Sequence, residues 1–392
     1  MNFAIPLKSV LILFILLCIS NSFLCAQQKK APIMGWSSWN NFRVNIDEKM
    51  IREQADAMIA SGLYKAGYRF INIDDGYFGG RDASGKLFVN KAKFPSGMKL
   101  LVDYIHSKKL KAGIYTDAGK NTCGSIYDKD KNGIGSGIYG HVPQDCNLFF
   151  KEWGFDFLKV DWCGAEKMKL DEENTYMPII NAVKGIDSNI VFNVCRWQFP
   201  GKWVINKADS WRISGDISAD FGSILKIIDI DTDLAKYSSP GHYNDMDMLQ
   251  VGRGMSYDED KTHFSMWCML NSPLLAGNDL RSMSKQTIEI LTNKELIALN
   301  QDTGFKQAYK VLTDKPIEVW VKPLGADHGK SKAIAIMNRG EKEVIFNFNA
   351  EKIGISTKSK LRDLWLHKKL GKAGGIKQFT LPKHGIIVLK AD

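Results

Sequence analysis

A chain of 392 residues, 44% hydrophobic and 24% charged, has room for one large domain and a smaller one, and its mixed composition excludes a disordered or fibrous protein. Its 53 basic and 43 acidic side chains leave a formal charge of +10, but the basic residues are scattered. With no continuous basic face, the charge reads as a solvated surface and argues against a nucleic-acid partner.

In chain order, Lys8 precedes the apolar run SVLILFILLCIS, and NSFLCAQQKK follows. The run is too short and too poorly flanked for a membrane span. Residues 1–26 read as an export signal cut after Ala26. A lipid anchor on Cys25 is the rival, opposed by the bulky Leu24 before it. Of seven cysteines, Cys18 and Cys25 fall in this segment. Cys123, Cys146, Cys163, Cys195 and Cys268 remain for an oxidising compartment, periplasmic or extracellular. An odd number leaves one thiol free unless it pairs between chains, and no CxxC suggests zinc.

From about residue 31 to 300, strand-like runs alternate with amphipathic helical stretches. The strand candidates are PIMGW, YRFINID, LKAGIYTD, FDFLKVD, NIVFNVC, SWRISGD, GHYNDMDML and SPLLAGND. Between the first two lies DEKMIREQADAMIASG, with an Asp placed to cap a helix and Gly62 placed to end it. Eight such units predict a (β/α)8 barrel over residues 27–312. A doubly wound sheet is the alternative, but no Gly-rich phosphate loop follows the first strand. From residue 313 to 392, short alternating runs such as PIEVWVKPL and KAIAIMNRG predict an antiparallel β domain.

Five of the barrel strands end in acids: Asp74 with Asp75, Asp117, Asp161, Asp216, and Asp245 with Asp247. Strand carboxyl ends of such a barrel face one mouth, where the chemistry sits. Ionised carboxylates there need donors or cations, and a polyhydroxylated ligand supplies donors. Lys159 and Asp161 are two apart on a strand, so they share a face, and the lysine favours an ionised carboxylate. Asp216 is the candidate acid, with Arg212 nearby working against a raised pKa. Carboxyls about 5 Å apart would mean a retaining glycosidase, and roughly 6.5–9.5 Å an inverting one.

The segments APIMGWSSWNNF, INIDDGYF, FPSGMKLLVDYIHSKKLKAGIYTDAGKNTC, WGFDFLKVDWC, WRISGDI, GHYNDMDMLQVG and PLLAGNDLRSMS resemble glycoside hydrolase family 27, the α-galactosidases and α-N-acetylgalactosaminidases. The resemblance runs in order over about residues 31–302, and the C-terminal region fits the family's β-sandwich. It implies an exo-acting, retaining, cofactor-free hydrolase, with Asp161 as nucleophile and Asp216 as acid/base. It further implies Asp74 and Asp75 on the 4- and 6-hydroxyls of galactose, Lys159 on the 3- and 4-hydroxyls, and Arg212 near the 2-position. Trp39 and Tyr115 would form an apolar wall, Asp247 and Met248 the opposite rim, and Cys123 with Cys163 a disulfide beside the nucleophile. Arg196 stands where the galactosidases carry Glu and the N-acetylgalactosaminidases a small residue, so it bears on the 2-position. A retuned 2-position specificity and a non-catalytic sugar-binding barrel are the alternatives to α-galactosidase activity. Cys195 lacks its usual partner, which Ala208 replaces, and is expected as a free buried thiol.

Three further segments and residue types carry weaker signals. DKDKNG (128–133) has Tyr139 rather than Glu at a calcium loop's twelfth position and reads as a solvated turn. GIGSG (133–137) lacks a phosphate loop's setting and reads as flexible. The seven histidines never pair at metal-binding spacings, so no metal is expected, and His242 reads as a hydrogen-bonded core residue. The expected partner is a carbohydrate ending in an α-galactosyl group, with no nucleic acid and no membrane span. A homo-oligomer is compatible with a barrel bearing a β appendage.

Overall fold

The computed structural model describes residues 31–325 and 329–392. The export signal read over residues 1–26 lies outside them. Among the described residues no helix is long and apolar enough to cross a membrane.

Every one of the eight strand candidates forms a strand: β1 (Met34–Ser37), β2 (Phe70–Ile73), β3 (Lys111–Asp117), β4 (Phe157–Asp161), β5 (Val191–Val194), β6 (Ser210–Arg212), β7 (Tyr243–Asp245) and β8 (Leu274–Ala276). They pair in parallel in the order β8-β1-β2-β3-β4-β5-β6-β7. The gap between β7 and β8 is bridged by Leu249, whose N–H donates to Leu275 O (2.7 Å) and whose carbonyl accepts from Gly277 N (3.0 Å). The strands are nearly all buried on both faces, which is why they read as apolar runs without alternation.

Helices α1 (Glu48–Ala60), α2 (Met98–Ser107), α3 (Glu172–Ile186), α4 (Phe221–Thr232), α5 (Tyr257–Met269), α6 (Lys285–Leu291) and α7 (Lys294–Asn300) are the longer helices among the described residues. As its sequence predicts, α1 is capped by the Asp47 carboxylate accepting from Met50 N, and Gly62 follows it at φ +89°. A Ser256–Glu259 capping box starts α5. Its residues from Thr262 to Met269 are all buried, because α5 is sandwiched between the barrel and the C-terminal sheet.

The C-terminal strands are β9 (Tyr309–Asp314), β10 (Ile317–Pro323), β11 (Lys332–Asn338), β12 (Val344–Asn349), β13 (Lys360–Asp363), β14 (Lys368–Lys372), β15 (Ile376–Leu381) and β16 (Ile386–Ala391). Six form an antiparallel sheet in the order β9-β10-β11-β16-β13-β14, and β12 pairs with β15 in a second layer. The two layers make a β-sandwich around Ile317, Val319, Val321, Ile334, Ile336, Phe348 and Leu389. The alternate residues Trp320, Ala333, Ala335, Met337 and Val388 join the barrel's core instead. The sheet starts at Tyr309, ahead of residue 313. Half-exposed and weakly alternating, β9 gives little sequence signal.

Candidate active site

Period-two geometry brings the first pair together. Lys159 and Asp161 lie on β4 with Lys159 Nζ 3.8 Å from Asp161 Oδ2, and the same ammonium reaches Asp74 Oδ2, beyond the end of β2, at 2.9 Å. One partly buried cation thus serves two buried carboxylates, the arrangement that makes buried charge tolerable. Asp161 is 5% exposed, and its Oδ1 accepts from Trp162 N (2.9 Å). Burial pushes its carboxyl up to about 6, with Lys159 pulling it down and Asp216 pushing it up.

Register extends this layer across the barrel. Tyr115 pairs with Lys159, and Lys159 with Asn193. Lys159 Nζ lies 5.4 Å from the centre of the Tyr115 ring. Asn193 donates to Asp245 Oδ2 (2.8 Å), which turns that acid toward the barrel axis.

The second centre is Arg212, at the end of β6 and 4% exposed. Its Nη2 lies 2.9 Å from Asp247 Oδ2 and 3.1 Å from Asp216 Oδ1. Asp247 holds φ +74° and is fixed by Ile217 N and Met248 N, which both donate to its carboxylate. Burial raises Asp247 to about 6 against the pull of Arg212. The Asp216 side chain is 65% exposed. Burial would raise its carboxyl, but Arg212 and then Lys159 outweigh it and hold it below the usual carboxylate range.

Trp39, Lys159, Asp161, Arg212, Asp216, Asp247 and Met248 all face one cavity of about 300 Å³. Its inner end continues past Lys159 to Asp74, Tyr115, Asn72 and Asn193. Asn72 has no protein partner for either amide atom among the described residues, so this floor keeps donors and acceptors for a polar ligand.

Two predicted residues behave differently. Asp75 is fully buried and accepts from Gly124 N (2.6 Å) and Gly76 N (2.7 Å), away from the cavity lining. Burial raises its carboxyl to about 7. A Cβ at Gly124 would meet Asp75 Oδ2 at 2.9 Å, so only glycine lets that backbone approach. Arg196 is turned from the cavity: its Nε donates to Glu172 Oε1 on α3 (2.6 Å), and Trp197 lines the cavity instead.

Asp117 likewise leaves the group of mouth-facing acids. It is fully buried and accepts from the main-chain N–H groups of Gly119, Gly164 and Ala165, stitching the loops after β3 and β4 together. Cys123 and Cys163 form a disulfide across those loops. Cys146, Cys195 and Cys268 are free and buried. Arg212 Nη1 lies 3.8 Å from Cys195 Sγ. The GIGSG segment, read as flexible, has its Gly135, Ser136 and Gly137 carbonyls held by Arg81. His242 Nδ1 lies 2.6 Å from Ala208 O, a structural contact as expected.

Sequence reasoning missed Asn72, Asn193, Trp197, Arg43 and Tyr127. The strand period that paired Lys159 with Asp161 also pairs Asn72 with Asp74. Trp197 and Arg43 lie outside the regular elements and Tyr127 ends a five-residue helix, so no such signal existed for them.

The family described as "Alpha galactosidase A" matches residues 31–302, and the "Alpha galactosidase C-terminal beta sandwich domain" matches residues 314–391. "Alpha-galactosidase A" of Cellvibrio japonicus is 39% identical over 389 residues, covering 93% of this chain and 92% of its own. An "Alpha-galactosidase" of Oryza sativa is 41% identical over 359 residues, covering 90% and 83%. The crystal structure of "alpha-galactosidase I" from Mortierella vinacea superposes with a TM-score of 0.84 at 30% identity, covering 92% and 96%.

Proposed function

The chain belongs to the α-galactosidase family of glycoside hydrolases, family 27, and from that membership we propose that it removes terminal α-linked galactose from oligosaccharides or glycoconjugates by a retaining double displacement. The observation that carries the reading is the shared cavity of Asp161 and Asp216, with Lys159 3.8 Å from the first and Arg212 3.1 Å from the second.

In the first step the Asp161 carboxylate attacks the anomeric carbon. The bond to the leaving oxygen breaks, and Asp216 supplies its proton. In the second step Asp216 takes a proton from water, the resulting hydroxide displaces Asp161, and galactose leaves with its original anomeric configuration. The electrostatics bear on the two roles of Asp216 differently. Each carboxylate raises the proton affinity of the other. An ionised Asp161 therefore helps Asp216 hold the proton it must give. Arg212 and Lys159 already hold the Asp216 carboxyl low in the free protein, which suits the base of the second step, and esterifying Asp161 removes a neighbouring charge that opposes them.

Asp74 and Lys159 form the pair suited to the 3-, 4- and 6-hydroxyls, while Asp75 acts by supporting the loop at Gly124. Around the 2-position, Arg212 supplies the charge and Trp197 is a bulky wall that favours an unsubstituted hydroxyl over an acetamido group. Proton NMR of freshly cleaved p-nitrophenyl α-galactoside tests the mechanism. The α anomer is expected to appear before mutarotation, and the β anomer first would overturn retention. A panel of p-nitrophenyl glycosides separates galactose from N-acetylgalactosamine. Export is part of the same proposal, since the Cys123–Cys163 disulfide suits an oxidising compartment.

A further inference from the structure

The cavity wall beyond the two carboxylates is built from residues that the reaction scheme above does not use. Arg43 and Tyr127 both line it, on the side where Asp216 is exposed. Arg43 follows the short helix Trp39–Phe42, and its guanidinium lies 4.7 Å from the centre of the Trp39 ring. Its Nε and Nη2 bind both oxygens of Asp128, Nη2 at 2.8 Å from Oδ2. That leaves Nη1 with no protein acceptor among the described residues. Tyr127 ends the short helix Cys123–Tyr127 and is 56% exposed, a large ring left on the surface at the rim of a polar cavity.

Two covalent or ionic ties fix this wall to the reacting groups. The helix bearing Tyr127 is joined at its start to Cys163, two residues after Asp161, by the disulfide. At its end Asp128 grips Arg43, next to Trp39. Arg43 also contributes to the field at Asp216, lowering that carboxyl's pKa together with Arg212 and Lys159, and Asp216 in turn stabilises the Arg43 cation.

Arg43 sits at φ +48°, ψ −130°, a backbone conformation that suits glycine and strains any L side chain. Such strain persists where the surrounding structure holds it, and outliers of this kind cluster at functional sites.

We propose that Arg43 and Tyr127 form the subsite for the leaving group, and that the leaving group they fit is a neutral sugar ring, stacked on Tyr127 and hydrogen-bonded through Arg43 Nη1. This deepens the proposed function and rests on it. The acid/base has to stand beside the leaving oxygen, so the ring carrying that oxygen extends outward past Asp216, into the space between these two side chains. An aromatic face and a fixed planar donor are the pairing that grips a ring bearing both C–H faces and hydroxyls.

The test compares galactosyl-α-1,6-glucose with α-galactosyl fluoride, whose leaving group needs neither a subsite nor a proton. Tyr127→Ala removes an exposed ring. Arg43→Gly removes the guanidinium while relieving the backbone, so both proteins should fold, as an unfolding scan checks. For each variant, compared at its own pH optimum so that a shifted Asp216 does not count, the ratio of kcat/KM on the disaccharide to kcat/KM on the fluoride should fall about tenfold or more, the size of a lost charge-assisted or stacking contact. A ratio within about twofold of the starting protein in both variants would overturn the subsite. If the starting protein cleaves neither substrate, it is the α-galactosidase reading that has failed.

Discussion

The floor of the cavity and its mouth are built on opposite principles. At the floor, Asp161 and Asp74 are 5% and 2% exposed and share one lysine. At the mouth, Asp216 is 65% exposed and meets solvent together with Arg43 and Tyr127. The same carboxylic acid therefore has two environments. The floor fixes a charge in place and allows it no alternative geometry, whereas the mouth leaves a carboxyl free to exchange protons with water. Rigid holding of one acid beside ready proton exchange at the other is what a covalent displacement followed by hydrolysis requires.

The largest test of this contrast is at the floor. Asp161→Asn keeps the shape but removes the nucleophile, and kcat should fall by about 10³-fold or more with an unchanged unfolding midpoint. Asp161→Asn retaining wild-type-like turnover would break the assignment of roles. Next comes the shared cation. Activity of the starting protein should decline as pH falls through about 6, where Asp161 takes up a proton. Lys159 lowers that pKa, so Lys159→Met should move the acid limb to higher pH and reduce kcat/KM by roughly 10²-fold. A pH–rate profile with an unmoved limb would separate Lys159 from the ionisation of Asp161. The smallest effect on turnover belongs to the staple between floor and mouth. Replacing Cys123 and Cys163 together with serine should lower stability by about 3 kcal/mol, seen in denaturant unfolding, with a smaller change in activity.

The floor was legible in the sequence and the mouth was not, for a physical reason. Parallel strands buried on both faces appear as apolar runs, so a charged residue at the end of one stands out, as Asp74, Asp161 and Arg212 do. Strand period then puts Lys159 on the face of Asp161. That logic fails where the chain leaves the strand. Asp117 closes β3 just as Asp161 closes β4, yet it turns to the N–H groups of Gly119, Gly164 and Ala165. Arg196 finds its partner Glu172 on a helix 24 positions earlier in the chain, a pairing no local pattern announces. Arg43 follows one short helix and Tyr127 ends another, and neither is long enough to show a period.

The strand β10 serves two masters. Ile317, Val319 and Val321 point into the sandwich, while Trp320 and the fully buried Lys322 point at the barrel, where Lys322 Nζ donates to Met269 O (3.3 Å) and Lys306 O (2.6 Å). Because successive side chains of one ribbon are committed to separate interiors, slipping that ribbon by a single position would push an ammonium and an indole into the sandwich and aliphatic groups against those carbonyls. Cutting the appendage away would strip the covering from α5. The two halves are therefore expected to melt together, and an enzyme trimmed to its barrel alone to aggregate.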